Sequence, residues 1–280
     1  MNEVRNLFQL MEALKQGYTV SNGQIIPLLR PIAAQKQEET ERQFCISIAD
    51  HSFEINTLYP DTYYLCRNYL TNHKPEIKIC ISEKTIELER KELEREKIPQ
   101  SDGYLETLAV YREICEALLS YDTILMHGAI VATEDAAYMF TAESGTGKTT
   151  HVKKWLENAE HSYVVNGDKP LIRIHDNEVI ACGSPWCGKE QMNTNTMVPL
   201  KAIVIMERGE NNHIREISLG QAFPFLLQQT YRPNDAEKIK KTLALVAKLK
   251  DKVRFYYFVF NNMKSDVFDV AYRAIVHDHL

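Results

Sequence analysis

The sequence predicts a mixed α/β (α+β) fold, a largely antiparallel sheet flanked by helices, with a small N-terminal lobe ahead of the main domain. Three observations carry this. From about Gly103 onward, apolar runs of strand length alternate with helical patterns. Two pairs of these strands are joined by only a few polar residues, around Glu134-Asp135 and Asp176-Asn177. Connections that short make hairpins and cannot make parallel crossovers. The strand Ala137–Phe140 then runs straight into the glycine-bearing loop Ala142-Glu-Ser-Gly-Thr-Gly-Lys-Thr149, so it has an antiparallel partner immediately before it.

In chain order, residues 1–102 form the lobe. Phe44–Ile48 and Phe53–Ile55 read as strands around a turn at Ala49-Asp-His51, Tyr63–Leu70 as a short helix, and Ile77–Ile81 as an alternating strand. The run Glu87–Lys97 mixes charges with few apolar residues and reads as a solvated surface segment. Residues 103–280 form the main domain. Leu105, Leu108, Ala109, Cys115, Leu118 and Leu119 recur at helical spacing, which predicts an amphipathic helix over Tyr104–Tyr121. Thr123–Thr133 reads as one strand, hairpinned to Ala137–Phe140, and Thr149–Asn158 as the helix after the loop. Tyr163–Val165, Leu171–Ile174, Val179–Cys182, Ala202–Ile205 and Phe255–Phe260 complete the strands, and Leu219–Thr230, Ala236–Leu249 and Asp266–Val276 the helices.

Composition excludes several classes. The net charge of −5 and pI near 6.0 offer no basic field for nucleic acid. No apolar run approaches the roughly 18 residues of a membrane span, and the N-terminus MNEVRNLFQLMEALKQGY is amphipathic and lacks an apolar signal core. The six cysteines, none in a CxxC pair, suit mostly buried thiols in a reducing compartment, so the expected location is cytoplasmic. Cys182 and Cys187 flank Gly183-Ser-Pro-Trp186, leaving metal or redox chemistry open there without zinc-type spacing.

The loop is the strongest chemical signal. Its glycines permit positive φ, and its backbone N–H groups and the following helix N-terminus favour phosphate oxygens. In such a loop Lys148 reaches the terminal phosphates and the Thr149 hydroxyl is placed for magnesium. Ala142 stands where the strict pattern has its first glycine. Asp168, about 20 residues after Lys148, could hold the metal or take a proton from an attacking hydroxyl; Asn166-Gly-Asp168 is equally good turn chemistry. His127 on an apolar strand reads, taken alone, as a satisfied core histidine. Gly183–Lys189 suits either an acceptor pocket or base stack, or a plain turn around a buried Trp186. Arg232 suits either a cation for the moving phosphoryl group or a surface arginine.

Taken together, His127-Gly-Ala129, the hairpin, the loop ending Gly147-Lys-Thr-Thr150 and the downstream acid resemble HPr kinase/phosphorylase and its relatives over roughly residues 105–210. That family shares its nucleotide-binding fold with ATP-dependent phosphoenolpyruvate carboxykinase. The resemblance implies ATP with Mg2+ on Ser144, Gly145, Thr146, Gly147, Lys148, Thr149 and Thr150, the metal held by Thr149 and Asp168, and Asp168, His127 and Lys148 as catalytic residues. The implied reaction is transfer of the γ-phosphoryl group to a hydroxyl, a serine of a protein or peptide or a small molecule, with acceptor recognition in the lobe. Gly167-Asp168 stands where the family carries Asp-Asp, and Gly183–Lys189 where its phosphorylase segment lies, which implies a divergent member and leaves open whether the reverse, phosphorylase reaction exists. A non-catalytic ATP sensor or assembly factor, a carboxykinase-like enzyme and a homo-oligomer stay open.

Overall fold

Residues 18–21, 24–27, 41–93 and 100–277 are described by the structure, a computed structural model. The amphipathic N-terminal pattern and residues 94–97 of the mixed-charge run lie outside the described residues. The chain divides into two units, 1–41 and 42–280. In the first, β1 (Tyr18–Ser21) pairs antiparallel with β2 (Gln24–Pro27).

The second unit begins with a three-stranded sheet. β3 (Gln43–Ile48) and β4 (His51–Asn56) are antiparallel, and their turn residues Ala49 and Asp50 take φ of 51° and 63°, the mirror-image turn that matches strand twist. β5 (Ile77–Cys80) lies parallel to β4, with α1 (Asp61–Cys66) in the crossover. Residues 87–93 of the mixed-charge run are mostly exposed, as read, and form the later part of a helix, α2 (Glu83–Leu93). The helix buries a narrow stripe in which Ile86 and Glu89 are 4% and 5% exposed. Glu89 tolerates burial because Arg112 of α3 (Asp102–Leu118) pairs with it at 2.7 Å.

Helix α3 starts on a Ser101 cap that accepts from the Tyr104 amide. Its apolar side meets Ile46, Phe53 and Ile55 of the small sheet as well as Leu171 and Ile180 of the large one, in a single core cluster. The fully buried Glu106 carboxylate accepts from the amides of Leu58 (2.6 Å) and Tyr59 (3.0 Å), tying the chain after β4 to the helix.

The large sheet comprises β6 (Thr123–Leu125), β7 (Ala129–Thr133), β8 (Ala136–Thr141), β9 (Ser162–Asn166), β10 (Leu171–Ile174), β11 (Val179–Cys182), β12 (Met197–Arg208), β13 (His213–Ile217) and β14 (Arg254–Phe260). The order is β6-β10-β11-β12-β8-β7-β9, with β14 also on β12 and β13 on β14. The parallel pairs are β8–β12 and β12–β14; the other pairings in this sheet are antiparallel. The expected hairpins β7–β8 and β10–β11 are present. Strand β12 pairs with β11 through Met197–Pro199, then with β8 and β14 beyond a bulge at Leu200–Ala202, so the sheet changes direction along one strand.

One strand expectation is corrected. Thr123–Thr133 is broken at Met126–Gly128, because β6 joins β10 whereas β7 joins β8 and β9. Gly128 makes the break close-packed: a Cβ there would lie 2.5 Å from Met139 Cε and 2.9 Å from the Phe140 carbonyl. The cysteines are mostly buried, as expected, with Cys80 exposed and Cys45 half-buried.

Helices α4 (Lys148–Asn158) and α7 (Val267–Tyr272) cover one face, packing Val152, Trp155 and Val267 on Phe140 and Phe258. Helices α5 (Leu219–Gln229) and α6 (Ala236–Ala247) cover the other, placing Leu226 and Leu245 with Met139, Ile203 and Ile205. Within the first face His151 is fully buried among Phe140, Phe258 and Phe260. Its Nε2 accepts from Trp155 Nε1 at 3.1 Å, and its Nδ1 has no partner.

Burial, helped by Lys154, lowers the His151 pKa to about 3. The unfolded chain, with histidine near 6.5, binds this proton more tightly. His151 therefore supports the fold fully above pH 6.5 and withdraws that support as the pH falls toward 3, at up to about 1.4 kcal/mol per pH unit. Urea unfolding at pH 7, 5.5 and 4.5 should show a steeper loss for the wild type than for His151→Phe.

Candidate functional site

Strand β8 is buried along nearly its whole length and ends at Thr141 between β7 and β12. The chain then turns through residues 142–147 and enters α4 at Lys148. Two glycines make this turn, Gly145 at φ 75° and Gly147 at φ 118°. Ala142 has no positive φ and is 0% exposed within the α4-side core, so the missing first glycine costs the loop nothing. Gly147 caps α4 without any side-chain hydrogen bond, which leaves the first-turn amides, from Lys148 through Thr150, unclaimed by a cap. Such an end attracts anions.

A lysine that reaches terminal phosphates would stand exposed to ligand, and Lys148 does not. It is 8% exposed instead, because its side chain folds along the loop and its ammonium donates to the carbonyls of Ala142 (3.0 Å) and Glu143 (3.2 Å). Burial lowers its pKa, the Asp168 charge opposes that, and Lys169 adds to it. The loop is held from outside by Arg208 at the end of β12, whose guanidinium donates to the carbonyls of Thr146 and Gly145, both at 2.7 Å. Ser144 is exposed, Thr146 and Thr149 are half-buried, and Thr150 is exposed. A cleft of about 550 Å³ lies beside residues 143–146, floored by the end of β12 with Phe225 and Tyr257.

The break between β6 and β7 places His127 beside Thr141, the last residue of β8. Its backbone amide donates to the Gln229 carbonyl at 2.7 Å, and the Thr141 hydroxyl donates to its own carbonyl. Its Nδ1 lies 2.8 Å from Gln229 Oε1 and its Nε2 lies 3.4 Å from Asp168 Oδ1. The half-buried ring thus has a polar side chain at each nitrogen. Asp168 also pairs with the Lys169 ammonium. Burial would raise the Asp168 pKa, but the hydrogen bonds from His127 and Lys169 outweigh it and hold the carboxyl well below its ordinary value.

Asp168 owes its position to Asn166. That side chain is fully buried; its Oδ1 accepts from the amides of Asp168 (2.9 Å) and Lys169 (2.7 Å). Its Nδ2 lies 3.0 Å from both the Ser184 carbonyl and hydroxyl and 3.3 Å from the Trp186 carbonyl. Asn166 therefore makes the turn, and the Asp168 carboxylate is left for His127 and Lys169. Gly167 explains the lone acid: a Cβ there would press on the carbonyls of Cys187 (3.1 Å) and Met192 (3.3 Å).

The Gly183–Lys189 segment is a turn around a buried Trp186, which donates to the Thr107 carbonyl and stacks on Tyr111 at 4.2 Å. Gly188 brings it against Asp168. Cys182 and Cys187 are buried, and burial raises both thiols, the Cys182 pKa to about 12. Arg232 is exposed. Among the described residues no three His, Cys, Asp or Glu side chains converge on a metal position, and no helix is long and apolar enough to cross a membrane. Sequence reasoning missed Gln229, Arg208, Lys169 and the anchoring role of Asn166.

No family model and no curated protein matches the chain. Among solved structures, it is similar to the Hpr(Ser) kinase/phosphatase from Coxiella burnetii, with a TM-score of 0.35 and 10% identity, covering 56% of this chain and 99% of that one. What the chain does is therefore read from its own residues.

Truncating Asn166 leaves buried donors and acceptors without partners, at about 1–3 kcal/mol for each group that water cannot reach. Asn166→Ala should lower the unfolding free energy by about 2–4 kcal/mol, measured by urea titration at pH 7.

Proposed function

We propose that the protein is an ATP-dependent phosphotransferase acting on a hydroxyl. The observation that carries this is the strand–loop–helix turn of residues 142–149, with its two positive-φ glycines, its uncapped helix start and a lysine folded into it, beside a histidine–carboxylate pair. Residues Ser144–Thr150 present amides and the Lys148 ammonium to the phosphates, and the cleft beside Phe225 and Tyr257 has the size and aromatic walls for a nucleoside.

The Thr149 hydroxyl and the Asp168 carboxylate are oxygen donors of the kind Mg2+ takes, with water and phosphate completing its shell. Bound there, the ion supplies positive charge to the phosphates. In the transfer, an acceptor oxygen attacks the γ-phosphorus; the new P–O bond forms as the β,γ-bridging bond breaks and ADP leaves. Asp168 is too acidic to strip a free hydroxyl at neutral pH. It orients that hydroxyl and takes its proton late, when the forming bond has made it acidic, and then passes it to solvent. His127 fixes the carboxylate, and Lys148 faces the charge that builds on the phosphates.

A second reading, an ATP-binding sensor without transfer, draws on the crowding at Gly167, which leaves one carboxylate, and on the engagement of that carboxylate by Lys169.

Two substitutions test these readings. Lys148→Ala should abolish measurable Mg–ATP binding by calorimetry while the protein stays folded by circular dichroism; unchanged affinity would remove the basis of both readings. Asp168→Asn keeps the shape and loses the charge. In a kinase, transfer of labelled phosphate should fall about 10²–10⁴-fold with nucleotide affinity little altered. Full activity in that variant would sink the role given to Asp168.

A further inference from the structure

Another cleft, of about 480 Å³, reaches His127. One end is lined by His127 and Lys169, the groups that pair with Asp168, and by Gln229, which holds His127. Its walls are apolar or aromatic: Leu108 and Tyr111 from α3, Leu125 from β6, and Tyr231 after α5. Those walls are held rigidly. The Tyr111 hydroxyl donates to the Lys169 carbonyl at 2.6 Å while its ring stacks on Trp186, and the Tyr231 hydroxyl donates to Glu116 at 3.1 Å. The outer end comes from α2 and α3, where Glu89 and Glu92 share the single guanidinium of Arg112. Glu89 takes it at 2.7 Å and Glu92 at 3.4 Å, so Glu92, more than half exposed, is the weakly neutralised one.

We propose that this cleft is the acceptor site, and that the acceptor is a small hydroxylated amine with an apolar body. This rests on the phosphotransferase reading above. The volume is that of small-molecule sites, which bury most of their ligand against apolar walls and fix it with a few polar groups. A molecule lying along the cleft puts its hydroxyl at the His127–Asp168 end, its carbon skeleton between Tyr111 and Tyr231, and its ammonium toward Glu92. Two carboxylates against one arginine leave that rim negative, which favours a cation and disfavours a carboxylate or phosphate. Transfer balances as before: the acceptor oxygen gains the γ-phosphoryl group, ADP leaves, and the hydroxyl proton departs by way of Asp168.

The probes are leucinol and tyrosinol, each with its N-acetyl counterpart, and a serine-containing peptide, with labelled Mg–ATP. The amino alcohols should be phosphorylated with lower KM than the acetylated forms. Leu108→Trp, which fills the cleft, should raise their KM about tenfold or more. Glu92→Lys, at an exposed position that leaves folding intact, should raise it about three- to tenfold for the amines and leave the acetylated forms unchanged. Mg–ATP affinity should stay within twofold in both variants. Transfer confined to the peptide, no transfer to the amino alcohols by a protein that binds Mg–ATP, or an amine KM indifferent to both substitutions overturns this inference and leaves the phosphotransferase reading standing. Failure of the wild type to bind Mg–ATP overturns both.

Discussion

The Asn166 side chain is buried beyond the reach of water, and every polar atom on it is used. That requirement organises the centre of the molecule. By accepting from two successive amides, Asn166 bends the chain after β9 so that Asp168 turns toward His127 and Lys169 follows it. By donating to Ser184 and Trp186 it brings a distant turn against that bend. Trp186 then backs Tyr111, and Tyr111 donates to the Lys169 carbonyl, closing a ring of contacts. A polar group in so dry a place either has all its partners or destabilises the fold. The same five contacts therefore specify the turn and orient a carboxylate that lies well outside them.

Two charges of opposite sign sit near this centre, and burial works against both. Lys148 loses water and has its pKa lowered; Asp168 would have its own raised, but two donors reverse the sign. Each charge is kept by short-range hydrogen bonds: carbonyls of the loop for the ammonium, His127 and Lys169 for the carboxylate. Neither charge is therefore left unpaired by its burial.

Much of this was legible in the sequence where local chemistry decides structure. The hairpins around Glu134-Asp135 and Asp176-Asn177, the glycine turn and the long amphipathic helix depend on neighbours in the chain, and the structure has them. Helix α2 was hidden because its buried stripe includes a glutamate, so charge content looked like solvation. The break at His127–Gly128 was hidden because two strands with different partners make one continuous apolar run. Edge strand β13, His213–Ile217, is mostly exposed and carries no alternating signal. Of the candidate site, the loop and Asp168 stand out by spacing. Gln229 and Arg208 do not, since each meets its partner only after distant segments pack.

Strand β12 belongs to both arms of the large sheet. It pairs with β11 at one end and with β8 and β14 at the other, contacts that join Ala202 to Tyr138 upstream and to Arg254 downstream. Neither arm is complete without it, and its partners are synthesised on both sides of it. Loops closed over such separations carry a large entropic cost before any contact is rewarded. Folding of this unit must therefore wait for its C-terminal strand β14. A ribosome-bound chain that ends before Arg254 carries an apolar strand with one long edge unpaired, a state that association with other chains or a chaperone would have to cover.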